Sequence, residues 1–218
     1  MLRYKIQKVT KDFELNIKSP NKAWILAQEI SLSYIWDKFP YKPKVHAKCL
    51  YSDKFLYLRF EVEENAIQST ATKINDFVYI DSCVEFFCSP EPLLKNHYYN
   101  LEMNCCGNVF MAYGPDRKER SFVPVNVLEN ITSARTVVGA TKKISADDKK
   151  WDMEIKVPWA VYQSMSDIPV PTKGTIWKGN FYKCGDKLPK VHYGSWTKIE
   201  LPAPDFHRPE FFGELIFE

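Results

Sequence analysis

The chain has 218 residues, of which 45% are hydrophobic and 15% aromatic, and its formal net charge is only +3. This length allows one sizeable hydrophobic core, and a content of 14 Phe and 12 Tyr favours strands over helices. The 30 Lys and Arg residues are scattered, so the basic stripe of a nucleic-acid-binding protein is missing. No segment is long and apolar enough to predict a membrane span.

Taken in chain order, the sequence predicts short strands separated by turns. Residues 21–30 have the length and composition of a short helix or a buried strand. Residues 45–63 predict a strand pair, because apolar and polar side chains alternate strictly from Leu56 to Val62. Further strands are expected at 77–88, at 97–114 as a hairpin turning at Gly107, at 134–144 and at 151–157, with a proline-containing loop at 89–96 and a helical turn after Pro158.

Strands of five to ten residues that alternate with turns are typical of an all-β protein. We expect an antiparallel β-sandwich, jelly-roll-like, with one or two short helical turns. Since no change of composition marks a linker, residues 1–218 are predicted to form a single domain.

The six cysteines do not form the spaced pairs that zinc sites or small disulfide frameworks use. Cys105 and Cys106 are adjacent, so on a strand they would point to opposite faces. Free thiols in a reducing compartment are therefore expected. Together with an N-terminus that lacks a signal peptide, they predict a cytoplasmic protein unless a leader has been removed.

Polar side chains share one face of two neighbouring predicted strands. Glu85 lies on the first of these strands. On the second, Asn100, Glu102 and Asn104 alternate with apolar residues such as Leu101. Three polar side chains in a row indicate either a binding surface or an ordinary solvated sheet face.

Residues 174–217 are rich in aromatic rings, amides and charged groups. On the strand that begins there, Lys178, Asn180 and Tyr182 alternate with Trp177 and Phe181. A sugar ring stacks its flat apolar face on an aromatic ring, and its hydroxyls need donors and acceptors. This face therefore favours carbohydrate binding over core formation.

Five distinctive motifs follow one another along the chain: DSCVEFF, YYNLEMNCCGN, WDMEIKVPW, GNFYKCGD and HYGSW…PDFHRPEFFG. Through these motifs the chain resembles carbohydrate-binding module family 9 and the related DOMON β-sandwiches, from about residue 56 to residue 217. This resemblance implies a two-sheet sandwich that binds glucan or xylan, or the ends of such chains, without catalysis.

The resemblance also implies which residues contact the sugar. Two aromatic rings clamp it, and Tyr79 stands where the family often has Trp. The second ring is expected to be Tyr182, with Trp196 as the alternative. The implied hydrogen-bonding residues are Glu85, Glu102, Asn104 and Asn180. Relatives can bind structural calcium, but the chain has no Asp-rich loop that would identify such a site.

Two enzyme mechanisms and one cofactor remain as alternatives. Glu85 and Glu102 could serve as the carboxylate pair of a glycosidase, and Cys184 near His192 is a weaker candidate for a nucleophilic pair. A DOMON-like electron-transfer domain would hold haem between Met and His, for which Met103 and His97 are near one another in sequence. We expect a non-catalytic protein that binds sugar and needs no cofactor.

Overall fold

The computed structural model describes residues 1–90, 97–141 and 143–218, so most of the predicted loop at 89–96 lies outside the described residues. Thirteen strands are present in this part of the chain. They are β1 (Arg3–Lys8), β2 (Ile30–Ser31), β3 (Lys44–Tyr51), β4 (Phe55–Glu63), β5 (Cys83–Ser89), β6 (Tyr98–Asn104), β7 (Val109–Gly114), β8 (Ser121–Phe122), β9 (Thr132–Arg135), β10 (Trp151–Pro158), β11 (Ile176–Cys184), β12 (Tyr193–Ser195) and β13 (Gly213–Phe217).

The helices in the described residues are short. Two are α-helical, α1 (Val125–Leu128) and α2 (Trp159–Gln163), and the second follows Pro158 as the sequence predicts. Three 3₁₀ turns occupy Lys22–Leu26, Val78–Ile80 and Pro209–Phe211. No helix among the described residues has the length and apolar run that a membrane crossing requires.

The strands form two sheets that share β1. The first sheet has the order β8-β7-β6-β5-β11-β13-β1, with β12 paired to β11, and the second has the order β1-β3-β4-β10-β9, with β2 paired to β3. All pairings are antiparallel except those of β1, which runs parallel to β13 through Arg3–Ile6 and parallel to β3 through Gln7–Lys8. The prediction of an antiparallel β-sandwich with short helical turns is confirmed, and β1 adds two parallel pairings that the sequence did not reveal.

Strand alternation places one face of each sheet in a common core. Phe86 of β5, Leu101 of β6 and Phe181 of β11 meet Phe60 of β4 and Trp151 of β10 in a single buried cluster. Burial of a large apolar side chain stabilises the folded state by about 1.5–3 kcal/mol, so this layer holds the two sheets together.

The outer face of the first sheet is also covered, here by loops. Phe87, Tyr98 and Tyr182 point outward from the sheet and pack against Ile199 and Phe206 of the C-terminal segment. Every residue of β5 and β6 is consequently buried. This second layer, rather than the inter-sheet core, surrounds the polar residues that the sequence analysis singled out.

Two strand predictions were wrong in extent. The strand expected at 77–88 begins only at Cys83, because the Asp81 carboxylate accepts hydrogen bonds from the backbone N–H groups of Thr70 and Ala71 and holds the chain in a turn. The strand expected at 134–144 ends at Arg135. Beyond it, the chain leaves the sheet, and Thr141 donates its backbone N–H to Ser69.

Candidate functional site

A cavity of about 310 Å³ opens on the outer face of the first sheet. Its floor comes from β5, β6 and the end of β11, and its walls come from loops. The volume lies at the lower end of the range for small-ligand pockets. The lining residues are Phe77, Tyr79, Glu85, Glu102, Arg117, Arg120, Cys184, Asp186, Tyr193, Pro204, Asp205, Phe206 and His207.

Two carboxylates lie side by side on the cavity floor. Glu85 of β5 and Glu102 of β6 are directly opposite in the antiparallel register, and both are at least nine-tenths buried. We name them the acidic pair. Oε1 of Glu102 accepts a hydrogen bond of 2.8 Å from the Asn100 amide, whereas its Oε2 is buried and receives no hydrogen bond from the described residues.

The surroundings of the acidic pair disfavour two negative charges. Burial raises the pKa of Glu102 to about 7, against the opposing effect of Arg120. Burial, reinforced by the neighbouring Glu102, raises the pKa of Glu85 well above its usual range. The acidic pair therefore keeps a proton more readily than two separate carboxyl groups would, and while it holds that proton it can offer both a donor and acceptors to a ligand.

Two arginines and a histidine form the polar wall next to Glu102. Arg117 pairs with Asp205 at 3.0 Å, and Arg120 lies 3.9 Å from Glu102 and 3.4 Å from Nε2 of His207. Because an arginine can only donate, Nε2 accepts, and the proton of His207 sits on Nδ1, which lies 2.8 Å from the Tyr98 hydroxyl. Burial, with Arg117 and Arg120 nearby, lowers the pKa of His207 to about 2, which keeps this imidazole neutral.

Aromatic rings from two parts of the chain line the same cavity. The ring centres of Phe77 and Tyr79 lie 5.7 Å apart in the turn before β5, and Phe77 is 54% exposed. Tyr193 and Phe206 come from the C-terminal segments and meet edge to face at 6.1 Å. The backbone N–H of Asp186 donates to the carbonyl of Tyr79, which ties the two regions together.

The structure brings three of the seven predicted site residues, Tyr79, Glu85 and Glu102, to the cavity. Tyr182 lies beneath it: the side chain is fully buried, its ring stacks on Phe206 at 4.1 Å, and its hydroxyl donates to the carbonyl of the same residue. Asn180 is equally buried, and its amide binds both the hydroxyl and the backbone N–H of Thr197.

The other two predicted residues also lie outside the cavity lining. The Asn104 amide donates to the Asp81 carboxylate at 2.9 Å and to the carbonyl of Ala71, and so joins β6 to the loop that precedes β5. Trp196 packs edge to face on Tyr4 and Phe181.

Several lining residues were not predicted as site residues. Arg117 and Arg120 were counted only among the scattered basic residues, although the Arg120 guanidinium lies 5.0 Å from the centre of the Phe110 ring. Asp205, Phe206 and His207 belong to the PDFHRPEFFG motif. Their mixture of aromatic, acidic and imidazole groups was the signal that could have found them.

The residues of the haem alternative do not converge on this cavity. Met103 and Met111 are buried in the core between the sheets, where the alternation of β6 predicts Met103 to lie. His192 lies within 2.8 Å of the Lys183 ammonium group, and His207 is the one histidine of the cavity lining. One group of potential metal ligands exists in the described residues, Cys83, Glu85 and Cys184.

Comparison with known proteins identifies the family. The family model for carbohydrate-binding family 9 matches residues 19–217. The chain belongs to carbohydrate-binding family 9. The resemblance drawn from the sequence motifs is thereby confirmed, and membership supports carbohydrate binding. No protein with a curated description matches the sequence.

Solved structures agree with this assignment. The chain is 30% identical to a candidate carbohydrate-binding protein from Bacteroides uniformis, with a TM-score of 0.87 over 99% of both chains. A family 9 carbohydrate-binding module from Caldicellulosiruptor kristjanssonii, solved with glucose, matches with a TM-score of 0.63 at 12% identity over 100% of this chain and 96% of that one. The same source supplies a family 9 module solved with cellotriose, with a TM-score of 0.62, 12% identity and coverage of 100% and 94%. These last two modules have the same fold as this chain.

Proposed function

We propose that this protein is a non-catalytic family 9 module, formed by residues 1–218 as one domain, which binds a glucan or xylan chain in the cavity on the first sheet. The observation that carries the proposal is the buried Oε2 of Glu102, which has no donor among the described residues and belongs to a residue that lines a cavity with aromatic rings. A buried carboxylate oxygen without a donor is destabilising, and a sugar hydroxyl supplies the donor.

In this proposal the sugar ring stacks on Tyr79, and its hydroxyls bind the acidic pair. The cavity has a volume of only about 310 Å³, which favours one terminal sugar residue over the interior of a long chain. Phe206 or Tyr193 is the second ring, because these C-terminal aromatics reach the cavity lining. Tyr182 acts from beneath by fixing the ring of Phe206.

The remaining predicted residues position the site. Asn104 holds the loop before β5 through Asp81, and Asn180 holds the C-terminal segment through Thr197. Trp196 supports β13, since its ring would collide with any side chain placed at Gly213. The proposal needs no metal or cofactor for binding.

The arrangement of the acidic pair argues against a glycosidase. Such an enzyme places two carboxyl groups on either side of the bond that it cleaves. Glu85 and Glu102 instead lie next to each other on a single floor, where burial raises both pKa values. We expect no release of reducing ends from xylo- or gluco-oligosaccharides, and a release that Glu102→Gln abolishes would establish an enzyme.

Titration calorimetry with glucose, cellotriose and xylotriose tests the proposal. Tyr79→Ala should weaken binding by about 1–3 kcal/mol, as the loss of ring stacking does elsewhere. Glu102→Gln should weaken binding by about 1–3 kcal/mol, because a hydrogen bond to a charged acceptor is lost.

Two surface residues outside the cavity supply the matched controls. Phe122→Ala removes an aromatic ring that is 50% exposed, and Glu129→Gln neutralises an exposed carboxylate. Both should leave affinity unchanged. If all four variants bind as the unmodified protein does, the sugar site lies elsewhere, and if no sugar binds the unmodified protein, the ligand class is wrong.

A further inference from the structure

Two cysteines and one carboxylate converge at the base of the cavity. Cys83 of β5 and Cys184 of β11 are directly opposite in the antiparallel register. Glu85 follows Cys83 by two residues and so points from the same face of β5. The two sulfur atoms and a carboxylate oxygen all lie within 4.8 Å of one another, and Cys184 Sγ is 2.9 Å from Oε1 of Glu85.

This group has the composition of a metal site. Thiolate ligands select borderline-soft cations such as Zn²⁺, whereas Ca²⁺ and Mg²⁺ require six or more oxygen ligands. Tetrahedral zinc with the usual bond lengths places its ligand atoms roughly 3.3–3.8 Å apart. The observed spacing therefore needs a contraction of about 1 Å or less, which side-chain rotation on two rigid strands can supply.

The surroundings provide an entry path and a reason to bind a cation. Glu85 and Cys184 line the cavity, whereas Cys83 is fully buried behind them. Glu85 also faces Glu102, so a bound cation would offset the repulsion between two like charges.

We propose that Cys83, Glu85 and Cys184 form a three-ligand site for a zinc-class divalent cation, with the fourth coordination position open to the cavity. Binding converts the two thiols to thiolates and releases their protons to solvent, so no redox partner is required. The site shares Glu85 with the proposed sugar site, but it does not depend on sugar binding, since the ion can be bound without a sugar.

Cobalt is the probe, because Co²⁺ occupies zinc sites and gives a thiolate-to-metal charge-transfer band in the near ultraviolet. Protein kept reduced and stripped with a chelator should bind one Co²⁺ per chain, and Zn²⁺ should displace it with loss of the band. Zn²⁺ should also raise the melting temperature, because it binds the folded state.

Three substitutions locate the site. Cys83→Ser and Cys184→Ser should each remove most of the charge-transfer intensity. Glu85→Gln should keep the thiolate band but weaken the affinity for Co²⁺. The loss should be at least roughly 10–100-fold, which is the usual cost of removing a residue that only supports a metal ligand. Cys106→Ser is the matched control, since Cys106 is buried in a polar setting at 2.6 Å from the Ser69 hydroxyl and is not part of the group.

Co²⁺ titration of the unmodified protein is enough to reject the metal site, even if a variant fails to fold. Absence of the band at one equivalent of Co²⁺ would reject the site, as would a Cys83–Cys184 disulfide that persists in reductant. An unchanged band in both Cys83→Ser and Cys184→Ser would assign the metal to other residues. Sugar titration of the same samples separates this outcome from failure of the proposed function.

Discussion

Two buried groups of charged residues lie on opposite faces of β11, and they are built in opposite ways. On the interior face, Lys183, Glu64 and His192 are all fully buried side chains, which we name the paired cluster. On the outer face, beyond Tyr182 and Cys184, lies the acidic pair.

In the paired cluster each polar atom has a complementary partner. The Lys183 ammonium group donates to Oε1 of Glu64, to the carbonyl of Cys184 and to Nε2 of His192, each at 2.8 Å. Oε2 of Glu64 accepts from the Trp151 indole. Burial would raise the pKa of Glu64, but Lys183 and His192 outweigh it and hold the pKa at about 2.

The acidic pair lacks this complementarity. Both of its members are carboxyl groups, whose negative charges would repel each other, and Oε2 of Glu102 has no donor among the described residues. The paired cluster therefore stabilises one arrangement of the fold, whereas the acidic pair holds unused acceptor capacity next to an open cavity. A buried charged group with complementary partners is therefore structural, whereas one without them is available to bind a ligand.

The largest expected effect follows from breaking the paired cluster. Lys183→Ala leaves the Glu64 carboxylate buried without its cation, and it should reduce the free energy of unfolding by about 3–5 kcal/mol in urea denaturation. Lys178→Ala, on the same strand but half-buried, is the control and should have a far smaller effect. Equal losses in both variants would remove the distinction between the two groups.

A smaller effect, of the opposite sign, is expected at the acidic pair. The pKa of Glu102 is about 7 in the folded protein against an ordinary value of 4.5, so the folded state binds more protons between these pH values. Its contribution to stability is therefore complete below pH 4.5 and is lost as the pH rises through 7. Glu102→Gln should become more stable than the unmodified protein above pH 7, by at most about 3 kcal/mol.

Thermal melts of the two proteins across this pH range measure the difference directly. Near pH 4.5 the difference should disappear, because a protonated carboxyl group resembles an amide. Glu129→Gln should show no such trend. A difference that stays constant with pH would mean that Glu102 does not titrate in this window.

The smallest effect sharpens the comparison through a double-mutant cycle. Glu85→Gln and Glu102→Gln each remove the repulsion within the acidic pair, so the second substitution has less to relieve. Above pH 7, the stability of the double variant should fall short of the sum of the single effects by about 0.5–1 kcal/mol, a size common for residues in contact. Strict additivity in urea denaturation would show that the two carboxyl groups act independently.

Much of this arrangement could be predicted from alternation along the strands. The pattern of β4 from Leu56 to Val62 predicted its core face, and the patterns of β5 and β6 predicted that Glu85 and Glu102 share a face. Alternation has a period of two residues and depends only on local sequence, so it can be recognised without knowledge of the fold.

What covers a sheet face could not be predicted in the same way. Tyr182 and Asn180 were assigned to an exposed surface, but Phe206 and Thr197 of the C-terminal segment bury them. The onset of β5 was misplaced because Asp81 binds a loop more than ten residues earlier. Both features depend on long-range contacts, which no local pattern records.

The position of β1 has a consequence for how the protein reaches its fold. Its first four residues pair with β13 and its last two with β3, so a single strand of six residues connects the two sheets. The first and last strands of the described chain must meet before the first sheet is continuous from β11 to β1. The chain loses the entropy of closing this long loop before the contacts between the strands form. Folding should therefore take milliseconds to seconds, as in other sandwiches with distant strand pairing.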